Sequence, residues 1–252
     1  MGSEKYKSPD HMSEGPNCIA VIPARGGSKR IPRKNVREFM GKPMIAHTIE
    51  AARESGVFQR IVVSTDDEVI ASISEDFGAE VPFRRPDALA DDHTPISEVT
   101  VDALERVDPG ESQYEYVVQL MANCPLRTAK DIKESYAHLE EKGHDVQLSV
   151  FEFEWQNPWW ALKMGDDETL DPLFDEMFQE EVRSQDQPPL YCISGAIWWA
   201  KTGFLRQKGT FHTPNRAGWT MPWDHAVDID TEEDWRFAEV LASKKMDESA
   251  AG

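Results

Sequence analysis

RGGSKRIPRKNVREFMGK, residues 25–42, carries seven basic residues and one acid in a chain with 27 Lys and Arg against 46 Asp and Glu. This basic stretch directly follows CIAVI, residues 18–22, an apolar run typical of a buried strand. Gly26 and Gly27 let backbone amides approach a ligand closely, and the neighbouring cations offset anionic charge. A strand that opens into such a loop suits a polyphosphate ligand, although the G-x-x-x-x-G-K-[ST] spacing of the P-loop is absent.

Two other interpretations of the basic stretch are a solvated surface loop and a nucleic-acid patch. The net charge of −19 argues against nucleic acid, because most of the surface would repel a phosphate backbone. A small phosphorylated ligand is therefore the favoured interpretation.

Length and composition allow one large α/β domain, with or without an inserted element. The chain has 252 residues and 40% hydrophobic content, which is enough for a substantial core. The three cysteines, Cys18, Cys124 and Cys192, are far apart and indicate neither a zinc site nor a disulfide framework. The sequence shows no secretory signal and no apolar run of the ~18–20 residues that a membrane span needs. We therefore expect a cytoplasmic protein.

Strand-like and helix-like segments alternate through the first 150 residues, which predicts βαβ units and a mostly parallel sheet. The predicted strands cover residues 18–22, 61–63, 79–81, 116–121, 146–150, 195–199 and 227–230. The predicted helices cover residues 44–52, 66–77, 94–107, 129–142 and 231–242, with Thr231 and Asp234 as a capping pair. Ligands gather at the carboxyl ends of parallel strands, where the basic loop, Asp66, Asn123 and the Asp228/Asp230 pair all fall.

The boundaries of the domain follow from changes in composition. We expect residues 1–16 to be a tag-like or disordered leader, residues 17–244 to form one domain, and residues 245–252 to be a frayed tail. Residues 151–187 break the βα rhythm and are rich in aromatic and acidic residues. They read as an insertion or a β-rich flap that meets a partner subunit.

Six blocks of sequence resemble the acylneuraminate cytidylyltransferases, which make CMP-activated sialic acids and related nonulosonic acids. They are IAVIPARGGSKRIPRKN (residues 19–35), GAEVPFRRPDALADD (78–92), CPLR (124–127), RSQD (183–186), SGAIW (194–198) and DIDTEEDW (228–235). The first block is close to the form seen in the pseudaminic and legionaminic acid branches. Six ordered blocks are far more specific than a lone glycine pattern.

The resemblance implies a Rossmann-like, mostly parallel α/β fold of the nucleotide-diphospho-sugar transferase type. It also implies a homodimer in which the inserted segment of residues 151–187 is a dimerisation element. The implied reaction joins CTP and a nine-carbon 2-keto sugar acid to give a CMP-sugar and pyrophosphate, with Mg²⁺ as the cofactor.

The expected nucleotide site centres on the basic loop. Phosphoryl-type transfer needs charge neutralisation and in-line positioning, and the resemblance makes Arg25 and Lys34 the strongest catalytic candidates. The alternative for both is solvation at the surface. The full set of expected nucleotide contacts is Ala24, Arg25, Gly26, Gly27, Ser28, Lys29, Lys34, Asn35, Arg85 and Asn123.

Asp228 and Asp230 are the expected metal ligands and the other two catalytic candidates. At positions i and i+2 of a strand, both carboxylates would point to one face and reach one hard cation. The alternative is a pair of acids that favours the dipole of the following helix.

The expected sugar contacts are spread along the second half of the chain. By resemblance, Lys163 and Arg183 reach the sugar carboxylate from the neighbouring subunit, for which an Arg fork is well suited. The full set is Met121, Lys163, Arg183, Gln185, Asp186, Tyr191 and Gly195.

Two departures from the family pattern leave alternatives open. Met121 stands where the family usually has a glutamine and lacks its amide hydrogen bonds, and Ser194 replaces an asparagine. A nucleotidyltransferase of the same fold with another sugar or base, such as a 3-deoxy-manno-octulosonate cytidylyltransferase, is the enzyme alternative. A nucleotide-binding regulator that has lost catalysis is the alternative from another class.

Overall fold

The computed structural model describes residues 17–110, 113–154, 156–174, 183 and 186–251 of the chain. Its strands, numbered along the chain, are β1 Cys18–Pro23, β2 Glu38–Phe39, β3 Lys42–Pro43, β4 Arg60–Ser64, β5 Tyr116–Gln119, β6 Val146–Glu152, β7 Leu162–Met164, β8 Leu170–Pro172, β9 Tyr191–Lys201 and β10 Ala217–Thr220. Its α-helices are α1 Met44–Ser55, α2 Glu68–Asp76, α3 Ile96–Val107, α4 Ala129–Lys142, α5 Thr202–Lys208 and α6 Glu232–Ala251.

The central sheet has six strands in the order β10-β6-β9-β5-β1-β4. β1 pairs in parallel with β4 and β5, and β10 pairs in parallel with β6. β9 runs antiparallel to both of its neighbours, β5 and β6. This architecture confirms the predicted mostly parallel α/β sheet.

Helices cover both faces of this sheet because its central strands are apolar on both sides. Cys18, Ala20 and Ile22 of β1 pack in a core with residues of α1 and α4. Ile19 and Val21 face the other way, into a core that includes residues of α3 and α5. The alternation follows from the two-residue period of a strand, and the near-continuous apolar run is the pattern of a strand buried on both faces.

A third apolar cluster fixes the backbone near the predicted metal pair. Ile229 is fully buried in it against Trp235 of α6 and residues of the basic stretch, which include Ile31 and Phe39. The chain on either side of Ile229 is therefore held against the basic stretch, although the two segments lie about 200 positions apart in the sequence.

Local sequence signals place the helix ends well. α4 covers the predicted residues, and its capping box joins Thr128 and Asp131. Gly143 ends α4 in the left-handed conformation at φ 67°, which a glycine adopts without steric cost. The predicted cap of α6 is also present, because Thr231 N donates to Asp234 Oδ2 at 2.7 Å and Asp234 N donates to Thr231 Oγ1 at 3.2 Å.

Three secondary-structure predictions were wrong. Residues 79–81 form only an isolated bridge between Val62 and Glu80, and residues 227–230 are not a strand. α6 continues to Ala251 instead of ending near Ala242. The acid pair is therefore placed by the packing of Ile229 and not by a strand ladder. The predicted domain limits, including a frayed tail at residues 245–252, stay predictions.

The predicted insertion leaves the sheet after β6 and returns at β9, where Glu152 pairs with Tyr191. Between them, β7 and β8 form a separate two-stranded antiparallel sheet. The large apolar side chains Leu162, Met164, Leu170 and Leu173 of this part of the chain are exposed.

Across the described residues, no helix combines the length and the apolarity that a bilayer crossing requires.

Candidate active site

A cleft of about 200 Å³ opens at the carboxyl end of β1. Most of its lining comes from the basic loop and from the turn after β5, and Asp230 closes one side. The lining residues are Pro23, Arg25, Ser28, Lys29, Arg30, Ile31, Lys34, Asn35, Arg85, Ile96, Met121, Ala122, Asn123 and Asp230. The cleft therefore lies where doubly wound sheets bind their ligands.

The start of the basic loop lies tightly against the turn after β4. Gly26 N donates to Asp66 Oδ1 at 2.9 Å. A Cβ at Gly26 would lie 2.8 Å from Asp67 Oδ2, so no larger residue fits there without movement of Asp67. Arg33 Nη1 also donates to Asp67 Oδ2 at 2.7 Å. Two acids after β4 thus hold the loop at both ends and leave its middle facing the cleft.

Lys34 joins the basic loop to the acid pair. Its Nζ donates to Ile229 O at 2.8 Å and to Asp230 Oδ1 at 2.9 Å, with only 14% of the side chain exposed. Arg30 Nη2 donates to the other oxygen of Asp230 at 2.7 Å. Asn35, also buried, supports the loop by donating from Nδ2 to Arg25 O at 3.0 Å.

Arg25 and Lys29 lie on the opposite side of the cleft and share one acid. Arg25 Nη2 contacts Asp92 Oδ1 at 2.6 Å, and Lys29 Nζ contacts the other carboxylate oxygen of Asp92. These hydrogen bonds lower the pKa of Asp92. Arg25 Nη1 also donates to Asp91 O at 2.7 Å.

Asn123 brings the two predicted metal ligands together. Its Nδ2 donates to Asp228 Oδ1 and lies 3.3 Å from Asp230 Oδ1, so the two carboxylates lie side by side. Burial and the negative charge of Asp230 raise the pKa of Asp228 to about 6. Burial acts in the same direction on Asp230, but hydrogen bonds and charge from Lys34 and Arg30 outweigh it and lower the pKa of Asp230. Asp228 is thus the acid with the less balanced charge.

Arg85 is 3% exposed and lies against the end of β4. It donates to Ser64 Oγ at 3.1 Å and to the carbonyl oxygen of Ser64. Burial lowers its pKa to about 10, and the charge of Asp66 opposes that shift. A guanidinium with this pKa stays charged near neutral pH, so the cleft has a buried cation in its wall.

Met121 and Gly195 lie against each other beside Asp228. A Cβ on Gly195 would lie 3.1 Å from Met121 Cγ and 3.6 Å from Asp228 Oδ2. Gln119, two residues before Met121 at the end of β5, is fully buried and accepts a hydrogen bond from Thr100 Oγ1 at 2.7 Å. It is not among the residues that line the cleft, so it does not supply there the amide that Met121 lacks.

A family model described as cytidylyltransferase matches residues 19–182 of this chain, well over half of its length. The chain belongs to the cytidylyltransferase family. It is 34% identical over 223 residues to a pseudaminic acid cytidylyltransferase of Campylobacter jejuni, which covers 88% of this chain and 95% of the relative. It is 32% identical over 224 residues to a CMP-N,N'-diacetyllegionaminic acid synthase of Legionella pneumophila, which covers 88% and 95%.

The fold agrees with this cytidylyltransferase assignment. A solved CMP:2-keto-3-deoxy-manno-octonic acid synthetase, complexed with CTP, superposes with a TM-score of 0.67. The superposition covers 90% of this chain and 99% of that one, at 16% sequence identity. At this identity the likeness supports the fold alone.

The structure of this cytidylyltransferase gathers most of the predicted nucleotide contacts in one place. Arg25, Ser28, Lys29, Lys34, Asn35, Arg85 and Asn123 all line the cleft, together with Asp230 and Met121. Ala24, Gly26 and Gly27 belong to the same loop, and Ala24 N donates to Ser64 O at 3.0 Å. Their contacts with a nucleotide stay predictions.

The predicted sugar contacts are not gathered in the same way. Lys163 lies on β7, in the separate two-stranded sheet, and Tyr191 lies at the exposed start of β9. Arg183 and Asp186 are exposed, and Asp186 N donates to Arg183 O at 2.9 Å. None of these four residues lines the cleft of this subunit. Gln185 lies outside the described residues.

The expected site residues include neither Arg30 nor Asp92, and Asp66 was expected at the shared strand ends without a role. Arg30 and Asp92 bond directly to predicted site residues, and Asp66 holds the backbone of Gly26. Arg30 and Asp92 lie in the sequence blocks that resemble the family, and Asp66 lies at the end of a strand; these positions could have indicated that they belong to the site. His225 is close in sequence to Asp228, yet its Nδ1 contacts Asp131 Oδ2 at 2.7 Å, at the start of α4. Its role here is in the helix cap.

Proposed function

We propose that this chain is a cytidylyltransferase that couples CTP to a nonulosonic acid and releases the CMP-sugar and pyrophosphate. The observation that carries the proposal is the meeting of Lys34 and Asp230 in one cleft that Arg25 and Lys29 also line. Asp228 does not line the cleft and lies behind Asp230, where Asn123 contacts both carboxylates. The names of the two relatives support it, because pseudaminic and legionaminic acids are both nonulosonic acids.

In the proposed reaction, the anomeric oxygen of the sugar acid attacks the α-phosphorus of CTP. The new bond joins that oxygen to phosphorus, the bond from the α-phosphorus to the bridging oxygen breaks, and pyrophosphate leaves with the bonding electrons. The hydroxyl proton passes to solvent or to a base. The chain contributes mainly position and charge, as is general for phosphoryl-type transfer.

Each side of the cleft has its own task in this scheme. Arg25, Lys29 and Ser28 hold the β- and γ-phosphates, and Arg25 stabilises the charge that develops on the leaving pyrophosphate. Lys34 lies nearer the acid pair and neutralises charge at the α-phosphate. Asn35, Asn123 and the buried Arg85 bind the nucleoside side of CTP. Gly26 N is held by Asp66, and the backbone amide of Gly27 adds a donor that no side chain obstructs.

The acid pair fits a divalent cation. Mg²⁺ is held in nucleotide sites by one or two carboxylates together with phosphate oxygens, and Asp228 and Asp230 offer that set side by side. The pKa of Asp228 is raised by burial and by the negative charge of Asp230, and a cation would balance that charge. Within the described part of the chain, no cluster of three or more His, Cys, Asp or Glu forms a larger site. When bound, Mg²⁺ supplies charge stabilisation at the α-phosphate.

The sugar end of the site is completed by a second subunit in this proposal. Lys163 and Arg183 lie on the exposed insertion and not in their own cleft, so they are available to the cleft of a partner. The exposed Leu162, Met164, Leu170 and Leu173 provide an apolar surface for that dimer. Gly195 and Met121 shape the end of the cleft that receives the acceptor. Activity in the cytoplasm fits this assignment, since CTP is a cytoplasmic metabolite.

The test is a substrate panel. The purified chain is incubated with CTP, Mg²⁺ and a set of 2-keto sugar acids, and pyrophosphate release is followed together with mass spectrometry of the CMP-linked product. We expect a product with at least one nonulosonic acid. Binding of CTP with no pyrophosphate release from any acceptor would contradict the proposal and favour a nucleotide-binding regulator. Release only with an eight-carbon keto acid would assign a different sugar.

A further inference from the structure

An acidic turn occupies the cations that are assigned to the phosphates of CTP. The carboxylate of Asp92 bridges Arg25 and Lys29, one oxygen to each, and both cations line the cleft. Asp92 is 67 positions away from Arg25 in sequence, so this contact depends on the fold and not on local spacing. The carboxylate lies where two phosphate oxygens of a nucleotide tail would find the same donors.

We propose that Asp92 is an internal counter-anion that takes the place of pyrophosphate on Arg25 and Lys29 and exchanges with it during turnover. The proposal rests on the proposed function. As the triphosphate enters, Asp92 leaves the two cations; as pyrophosphate departs, Asp92 returns and competes with it. Asp92 acts through Arg25 and Lys29 and does not touch the reacting atoms, so it is a positioning residue.

The turn that carries Asp92 can move as a unit. Asp91 Oδ1 accepts hydrogen bonds from His93 N at 2.8 Å and from Thr94 N at 2.7 Å, which closes the turn on itself. Thr94 Oγ1 donates to the same oxygen at 2.8 Å. These bonds stay intact when Asp92 moves. The links to the basic loop are the two ion pairs of Asp92 and the bond from Arg25 to Asp91 O.

The charges at Arg25 and Lys29 favour exchange of Asp92 with pyrophosphate over simultaneous binding of both. Arg25 and Lys29 together carry two positive charges, and Asp92 cancels one of them while it is in place. A phosphate group beside the bound carboxylate would meet like charge at close range. The side chain of Asp92 is 32% exposed and that of Lys29 is 80% exposed. Because exposed ion pairs contribute little free energy, the carboxylate can leave them and turn into water at little cost.

The experiment measures binding of inorganic pyrophosphate by isothermal titration calorimetry to the full chain and to two variants. Asp92→Asn removes the competing charge and keeps the shape of the side chain. Asp87→Asn removes the same charge from an exposed position in the same connection between α2 and α3, and it controls for net charge. We expect Asp92→Asn to bind pyrophosphate roughly threefold to tenfold more tightly, in line with the loss of one or two exposed ion pairs. Asp87→Asn should stay within about twofold of the wild type.

Kinetics give a second measurement with a distinct sign. In Asp92→Asn the inhibition constant of pyrophosphate and the KM for CTP should both fall by about the factor found in the titration. If Asp92 merely organised Arg25 and Lys29, both constants would rise, and that result would overturn the proposal, as would equal affinities in the two variants. Turnover by the wild type with no tighter binding in Asp92→Asn leaves the proposed function intact and rejects only the role of Asp92. Absence of pyrophosphate binding in all three proteins would reject both.

Discussion

Lys34 and Asp230 are 196 positions apart in the sequence, and the Nζ of one lies 2.9 Å from a carboxylate oxygen of the other. The contact joins the basic loop at the beginning of the domain to the acid pair near its end. It also links the two charge sets that the proposed reaction needs in one place. The first prediction tests this contact directly.

Replacement of Lys34 by Met keeps the aliphatic stem and removes the ammonium group. We expect kcat/KM for CTP to fall roughly 10²-fold or more, because one preorganised charged donor at the reacting phosphate is lost. Lys42→Met is the matched control, since Lys42 is a basic residue of the same stretch that pairs with Glu50 at 2.6 Å. Initial rates over a range of CTP concentrations provide the measurement. Equal losses in the two variants would show that only net charge matters.

Replacement of Asp230 by Asn should abolish Mg²⁺-dependent turnover while the fold is preserved. The substitution removes one of the two carboxylates that offer oxygens to the cation and leaves Lys34 and Arg30 without their shared anion. Pyrophosphate release is measured across a Mg²⁺ titration, with circular dichroism as the check on folding. Asp224→Asn, which loses an ion pair of 3.0 Å to Lys245, is the control. Near-normal turnover of Asp230→Asn would remove the metal role.

Replacement of Gly195 by Ala places a methyl group 3.1 Å from Met121 Cγ. Met121 must then shift, and we expect a several-fold rise in KM for the sugar acceptor with roughly unchanged stability, because methionine adapts its shape. Gly203→Ala is the control, since no heavy atom lies within 4 Å of the added Cβ there. The double variant with Met121→Ala should recover much of the loss. If it does not, the two residues act independently, and the proposal that they shape the acceptor end of the cleft together is wrong.

We expect Asp131 to make a pH-dependent contribution to the stability of the fold. It is buried and accepts hydrogen bonds from Thr128 and His225 at the start of α4. Burial alone would raise its pKa, but the bonds from His225 and Thr128 outweigh burial and lower the pKa below the ordinary value of 3.8. The unfolded chain therefore takes up this proton more readily than the folded chain. The stabilisation is complete above the ordinary value and is lost as the pH falls through the lowered one.

The corresponding variant is Asp131→Asn, which should lose about 1 kcal/mol of stability at neutral pH through its cap bonds. Thermal or urea unfolding is measured at several pH values. The difference in the free energy of unfolding between the wild type and the variant should become smaller below pH 3.8. Glu134→Gln, an exposed acid on the same helix, should show no such narrowing. A gap that stays constant from neutral to acidic pH would contradict the assignment of the stabilisation to the ionised carboxylate.

Replacement of Met164 by Glu tests the dimer. Met164 is 70% exposed on β7, and a charge there should disrupt an apolar interface, so the molar mass in light scattering should fall from dimer to monomer. Val240→Glu is the control because Val240 is 67% exposed on α6, away from the insertion. A wild type that is monomeric, or a Met164→Glu variant that remains a dimer, would contradict the proposed interface.

The fold was predictable where local physics decides it. The apolar run of residues 18–22 predicted the buried strand β1, the helix predicted over residues 129–142 has the limits of α4, and the predicted cap of Thr231 and Asp234 is present. β10 and α5 were missed, because short segments such as AGWT and TGFLRQK carry little periodic signal. The strand expected at residues 227–230 is absent, since Ile229 is held by side-chain packing and by one backbone hydrogen bond to Asn123 O. Apolar periodicity does not distinguish this arrangement from pairing in a sheet.

The site was predictable as a set of residues and less so as a set of contacts. Sequence placed Lys34 and Asp230 in one crevice, but it does not tell which of many acids meets Arg25, and so Asp92 was missed. The convergence of Asp228 and Asp230 was expected from alternation along a strand and is achieved through Asn123. Lys163 and Arg183 are expected, by resemblance, to reach the sugar from a second subunit, and local sequence pattern does not encode how two subunits are placed.

The reversed direction of β9 has a consequence for engineering. Because β9 runs against its neighbours, residues 153–190 depart from and return to the same rim of the sheet, where Phe153 N donates to Leu190 O at 2.9 Å. Because the two ends of this segment are adjacent, it can be exchanged with that of a relative without a change in the order of the sheet strands. On the proposed function, chimeras cut at this bond would exchange the part of the acceptor site that Lys163 and Arg183 supply and leave the nucleotide cleft in its original chain.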